Sequence, residues 1–350
     1  MKRITIYDIA KKTNLSPSTV SRVLGNSDYP VSPEMREKIL AAARELDYHP
    51  NLWARNLKKK TGQTIGVLLP SISNPFFPSI VQGIEDTAYE KGFSLFTCSG
   101  AYDPERESNY LRLFIENHVS GVITVLAEEL GKGLDDYLRQ GGTVVSIQAE
   151  APTDERICSF YFDMEHANYL AANHLLELGH RRIAYLTAAL TSPIRRAKAR
   201  GYLKALTEAG IEDPERYLYI AQEQKAEAVE NYVSDNSTGV NLTRRLLERA
   251  PEVTAVLCMN DLVALGCQAT LQSQGRNIPQ DVSLVGFDDL FFAELIKPAL
   301  TTVRLEKYKI GQMAMTALID LIQGEGSPRQ VDLSDQVKLV VRETTAEPGD

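Results

Sequence analysis

Thr5-Ile-Tyr-Asp-Ile-Ala-Lys-Lys-Thr-Asn-Leu15-Ser-Pro-Ser-Thr-Val-Ser-Arg-Val-Leu24 holds two helix starts and the turn between them. Thr5 is an N-cap with Asp8 three residues on as its capping-box partner, and Ile6, Ile9 and Ala10 form an apolar stripe. Asn14-Leu15 makes the turn. Ser16-Pro17 is then an N-cap followed by proline at the first helical position. Val20, Val23 and Leu24 recur at helical spacing before Gly25-Asn26 stops the helix. Ser32-Pro33-Glu34 opens a third helix by the same chemistry, with Ile39, Leu40, Ala43 and Leu46 expected on its buried face. Two short helices joined by a tight turn and braced by a third define a helix-turn-helix, expected over residues 1–49.

In that motif the second helix presents its N-terminal residues to base edges in the major groove. Here these are Pro17, Ser18 and, a turn further, Arg22, which is long enough for a bidentate contact to guanine. Ser16, Thr19 and Ser21 are short hydroxyl donors suited to phosphates, and Thr5 joins the same DNA-facing set. The alternative is a small helical domain that merely exposes serines and an arginine. Charge weighs against it. The 350 residues carry 38 Lys+Arg and 46 Asp+Glu, a net −8 that taken whole argues against nucleic acid. Residues 1–60 nevertheless hold twelve Lys/Arg and six acids, so this segment is +6 and the remainder −14. A basic head on an acidic body is expected where one end meets phosphates.

At roughly 100–200 residues per domain the length suggests two or three domains. No apolar run approaches the ~20 residues that span a membrane. The N-terminus turns polar before a signal-peptide core forms, so a cytoplasmic location is expected. Cys98, Cys158, Cys258 and Cys267 are scattered without a Cys-x-x-Cys, which suits a reduced compartment.

Residues 50–61 read as a hinge. Asn51 is an N-cap for one or two helical turns, marginal alone in water, and the same segment also reads as a charged linker. From Thr64 onward strands alternate with helices. Strands Ile65–Leu69, Phe93–Thr97, Gly121–Val125 and Thr143–Ile147 enclose helices Pro78–Glu90, Glu105–Asn117 and Leu134–Gln140. The pattern restarts with helix His166–Leu178. Strands Ile183–Leu186, Tyr217–Ile220, Ala255–Cys258 and Ser283–Gly286 then enclose helices Lys198–Ala209, Val240–Arg249 and Leu262–Ser273. Such alternation implies two doubly wound parallel sheets, with ligand at the strand C-terminal ends.

Taken in order, these motifs resemble the LacI-type (lactose-repressor) family of bacterial transcription regulators. The resemblance rests on the Thr5–Leu24 stretch, Val31-Ser32, Arg36-Glu-Lys-Ile39 and Leu46-Asp-Tyr-His-Pro-Asn51. It continues through Ile65-Gly-Val-Leu-Leu-Pro70, Asn74-Pro-Phe-Phe77 and Leu178-Gly-His-Arg-Arg-Ile183. It ends with Asn260-Asp261, Val285-Gly-Phe-Asp-Asp289, Leu300-Thr-Thr-Val303 and Val341-Arg-Glu-Thr344, and so covers essentially the whole chain. It implies a multidomain protein: an all-α head, a hinge helix, and a two-lobed α/β body like periplasmic binding proteins over 62–350. Lobe one is expected at about 62–160 and 291–323, lobe two at about 161–290 and 324–350. The resemblance also implies a hinge that folds on a pseudo-palindromic double-stranded operator. Leu57 then wedges into the minor groove, with Asn51, Ala54, Arg55 and Lys58 in the DNA-binding set. Trp53 reads as a packing residue between hinge helices. Two half-sites imply a homodimer. No heptad helix follows Thr344, so a dimer is expected rather than a tetramer.

The body carries no Gly-x-Gly-x-x-Gly, phosphate loop or Gly-x-Ser-x-Gly, and no histidine pair at metal-ligand spacing. An enzyme, a cofactor and a metal are therefore not expected. His180 reads as structural. Phe76 and Phe77 follow the first strand, where they serve either as core or as pocket wall; the resemblance places them beside an effector. Asn260 and Asp288 sit just past strands and suit sugar hydroxyls, with Asp163 a weaker candidate. Two positions depart from the family. Lys198, among Arg195, Arg196 and Arg200, stands where many members have arginine, and Gln148 where many have aspartate. Arg196, Lys198 and Gln148 then belong either to a solvated basic turn or to a site for an anionic effector. With these residues, the resemblance implies an effector that is a sugar or sugar derivative and whose binding changes the lobe angle. A sugar-binding module or a sugar-metabolising enzyme without specific DNA binding is the competing reading.

Overall fold

In the computed structural model, which describes residues 4–24, 31–46, 48, 64–101, 103–125, 131–148, 155–221 and 231–349, the chain divides into two units, 1–63 and 64–350. Capping chemistry builds the first. Helix α1 (Ile6–Thr13) begins where the Thr5 N–H and hydroxyl both donate to the Asp8 carboxylate, at 2.8 and 2.7 Å, and ends on left-handed Asn14. Helix α2 (Pro17–Leu24) follows Ser16, whose Oγ accepts from the Thr19 N–H at 3.1 Å. Helix α3 (Pro33–Glu45) follows Ser32, which accepts from the Met35 N–H at 3.2 Å. Ile9, Ala10, Val20, Val23, Ile39, Ala42 and Ala43 form one core. Leu40, expected there, is exposed: it lies one residue, about 100° of helix, beyond Ile39, and Ala42 joins Ile39 and Ala43 on the buried face instead. A Lys12–Glu45 ion pair ties α1 to α3. The hinge residues Asn51, Trp53, Ala54, Arg55, Leu57 and Lys58 lie outside the described residues.

The second unit contains two six-stranded sheets. The first takes β1 (Thr64–Leu69), β2 (Ser94–Ser99), β3 (Gly121–Val125), β4 (Val144–Gln148), β5 (Cys158–Tyr161) and β11 (Gln330–Asp332), in the order 2-1-3-4-5-11. The second takes β6 (Ile183–Thr187), β7 (Leu218–Ile220), β8 (Ala255–Cys258), β9 (Ser283–Asp288), β10 (Thr301–Arg304) and β12 (Lys338–Val340), in the order 7-6-8-9-10-12. Neighbours run parallel except β10 with β12. Helices α4 (Phe76–Glu90), α5 (Pro104–Glu116) and α6 (Gly131–Arg139) connect the first sheet. Helices α7 (Met164–Glu177), α8 (Pro193–Glu208), α9 (Asn231–Arg249) and α10 (Asp261–Ser273) serve the second, and α11 (Lys307–Gln323) packs on α4.

The chain changes sheets three times, after β5, β10 and β11. The last two changes fall elsewhere than expected. Strand β10 pairs with β9, so 301–304 belong to lobe two; β11 pairs with β5, so 330–332 belong to lobe one. Strands of three or four residues carry too little periodicity to reveal their sheet. Helix α8 also starts five residues before the expected Lys198, because Ser192 accepts from the Arg195 N–H and Pro193 occupies the first helical position. Helix α9 starts at Asn231 rather than Val240, behind a polar first half without an apolar stripe.

Candidate effector site and nucleic-acid interface

On the head, Ser16, Ser18 and Arg22 are exposed along α2, with Pro17, Thr19 and Ser21 half-buried beside them. The Ser16 Oγ lies 2.7 Å from the Ser18 Oγ and 2.8 Å from the Thr19 Oγ1, so the three hydroxyls form one cluster at the helix N-terminus. Thr5 is exposed too, and its donors are engaged by Asp8.

In the body, the C-terminal ends of β8 and β9 and the starts of α8, α9 and α10 bring Lys198, Asp235, Asn260 and Asp288 together. Lys198 is buried, its ammonium donating to the Met259 carbonyl at 2.9 Å and lying 3.3 Å from the centroid of the Phe287 ring. Burial pulls its pKa down to about 8 against the pull of the Asp288, Asp261 and Asp235 carboxylates. Lys198 itself is therefore not part of a solvated basic turn, although Arg196 and Arg200 beside it are exposed.

Asn260 caps α10, its Oδ1 accepting from the Val263 N–H at 2.9 Å, while its Nδ2 donates to the Asp235 Oδ2 at 2.8 Å. Its amide thus orients Asp235, near the start of α9. Burial raises the pKa of Asp235, and that of Asp288 to about 6 despite Lys198 and Lys307 nearby. Asp261, one residue beyond Asn260, accepts from the Thr302 hydroxyl at 2.6 Å and the Leu290 N–H at 2.7 Å. Burial, and then the Asp288 charge, push it to about 8. The carboxylates of Asp288 and Asp289 diverge, as adjacent residues at a strand end should. That of Asp289 is held by Arg304 at 2.5 Å and Arg342 at 2.6 Å.

Other expected residues stand apart from this cluster. The Arg196 guanidinium donates to the Leu190 and Thr191 carbonyls, at 3.2 and 2.5 Å, and stays exposed; Arg195 is the arginine whose charge reaches Lys198 and Asp235. The Asp163 carboxylate caps α7 through the His166 N–H at 2.8 Å. Gln148 ends β4, in register with Tyr161. Phe76 and Phe77 are both buried in the first turn of α4, edge to face at 5.3 Å, and Phe76 lies toward Lys307, 5.8 Å from its ammonium. His180 is a buried hub facing Thr254, Ser283 and the Ala346 carbonyl at 2.9–3.1 Å. Among the described residues, no group of three His, Cys, Asp or Glu is placed to hold a metal, and no helix is long and apolar enough to cross a membrane.

A helical head followed by a two-sheet binding body defines a ligand-responsive regulator. Residues 5–51 match the model of the bacterial regulatory proteins of the lacI family, and 172–345 that of the periplasmic binding protein-like domain. The transcriptional repressor PurR of Mannheimia succiniciproducens is 30% identical over 97% of this chain and 98% of its own. The lac repressor dimer bound to operator and the anti-inducer ONPF superposes with a TM-score of 0.80 at 27% identity, over 99% of this chain and 100% of that one. A CelR–cellobiose complex gives 0.70 at 28%, over 98% and 100%. The chain belongs to the lacI family of bacterial regulatory proteins and is a DNA-binding transcriptional regulator with a periplasmic-binding-protein-like body.

Proposed function

We propose that this regulator is a cytoplasmic homodimeric repressor whose affinity for a pseudo-palindromic operator is set by a small, neutral carbohydrate bound at Lys198, Asp235 and Asp288. The observation that carries the effector class is the composition of the site. Three carboxylates, Asp235, Asp261 and Asp288, face Lys198, Arg195 and Lys307. Such a set offers acceptors as well as donors to hydroxyl groups, with the Asp235 and Asp288 carboxylates both set against Lys198, which favours a neutral polyol over a phosphate. The anionic effector suggested by Lys198 and Gln148 lacks this support, because Asp235 supplies an acid on the other side of Lys198. The CelR complex with cellobiose agrees with a sugar. PurR, a repressor, and the lac repressor dimer on its operator agree with repression by a dimer. Exposed Phe291 and Leu295, beyond β9, supply apolar surface for self-association. On the head, Ser18 and Arg22 read base edges and Ser16, Thr19 and Ser21 meet phosphates, with the hinge wedge at Leu57. The relatives' regulatory role favours binding without turnover. A thermal-shift screen of neutral sugars against sugar phosphates tests the effector class: a neutral sugar should raise the melting temperature, and stabilisation by phosphorylated sugars alone would refute it.

A further inference from the structure

Lys307 opens α11 directly after the chain leaves β10, so its backbone begins lobe one while its side chain turns back to lobe two. The ammonium is buried and donates to two consecutive carbonyls, those of Asp288 and, at 3.2 Å, Asp289. Both carbonyls point at it because Asp288 and Asp289 adopt φ values of +115° and +49°, conformations unfavourable for residues with a Cβ. The corner is anchored in lobe two, where Arg304 and Arg342 grip the Asp289 carboxylate.

On the lobe-one side the ammonium stands over Phe76 in the first turn of α4. Helices α4 and α11 have little freedom to slide. A Cβ on Gly83 would come within 2.1 Å of the Tyr308 carbonyl oxygen, and one on Gly311 within 2.1 Å of that of Ile80. A displacement of Lys307 is therefore carried by the helix pair as a body.

We infer that Lys307 is a positioning residue that transmits the occupancy of Asp288 to the lobe-one helix pair α4–α11. The inference rests on the effector reading of Asp288 given above. A ligand drawn to the Asp288 carboxylate moves the carbonyl of the same residue. A buried ammonium cannot leave that carbonyl without losing its compensation for desolvation, so lobe one follows. Coupling then arises because the Lys307 contact differs between the empty and occupied states.

The test compares the full-length wild-type chain with Lys307→Met, or Lys307→Gln where the methionine variant does not fold. Calorimetry reads the affinity for the neutral sugar that most stabilises the wild type, and fluorescence anisotropy reads operator affinity with and without it. Measured at sugar concentrations that saturate each protein, the sugar-induced change in operator affinity should shrink by about fivefold or more in the variant, whatever change it makes to sugar affinity itself. An undiminished response would overturn the inference. A wild type that answers to no sugar instead refutes the effector reading. Lys307 is then judged without ligand: Asp288→Asn should alter operator affinity in the wild-type background and not in the variant, and equal changes in both would overturn the role.

Discussion

The Asn260 side chain holds Asp235 at 2.8 Å while capping α10, so one amide ties a helix start to a carboxylate on another helix. If Asp235 receives a sugar hydroxyl, Asp235→Ala should weaken sugar binding about tenfold or more. Asn260→Ala should weaken it by a similar factor and also cost about 1 kcal/mol of stability through the lost cap. The double variant should lose less than the product of the two binding effects. Calorimetry and denaturant unfolding measure both quantities.

Sugar affinity should depend on pH through Asp288. Its carboxyl titrates near pH 6, so affinity is expected to fall as the pH drops through 6 and the anion is lost. Lys198 holds that value down; Lys198→Met should move the midpoint upward as well as weaken binding. Titrations between pH 5 and 8 check both.

Asp261 should set a pH slope in stability. Its carboxyl is raised from 3.8 to about 8 in the folded chain, so between these values the unfolded chain is ionised and the folded one is not. Stability should therefore fall with rising pH by up to about 1.4 kcal/mol per unit and level off above pH 8. Asp261→Asn mimics the protonated group and should flatten the slope, as read by melting curves at fixed ionic strength.

Close packing of α4 on α11 makes Gly83→Ala destabilising. The new methyl meets the Tyr308 carbonyl oxygen at 2.1 Å, so the helices must part at a cost of about 1–3 kcal/mol or more. Chemical denaturation measures this, and an unchanged midpoint would contradict the packing.

On the head, Arg22→Ala should weaken specific operator binding by about 1–3 kcal/mol and relax the preference at one base pair. Ser16→Ala should act more evenly across sequences.

Much of this architecture was legible in the sequence, and the reasons are local. Thr5, Ser16, Ser32 and Pro33 announce helix starts because capping involves residues a few positions apart, and all three head helices begin where those residues place them. Strands Gly121–Val125 and Ala255–Cys258 emerge from short apolar runs with clear ends. The short strands β5, β11 and β12 carry three or four residues each, too few for a pattern, and only pairing assigns them to a sheet. In the site, Asn260 and Asp288 were visible just past their strands, and Lys198 as a departure from the family pattern. Asp235, Arg195 and Lys307 were not assigned, because their roles come from neighbours distant in sequence. The Asp235 carboxylate beside Lys198 was illegible for the same reason: it lies on a helix whose first half has no apolar stripe.

Ligand gating of operator binding is tested most directly by fluorescence anisotropy of a labelled pseudo-palindromic duplex, selected from a random pool, titrated with the full chain at fixed salt. Saturating neutral sugar is expected to change the specific affinity by about fivefold or more while leaving a scrambled duplex unaffected. Equal binding to both duplexes, or a specific affinity that no sugar alters, would contradict it.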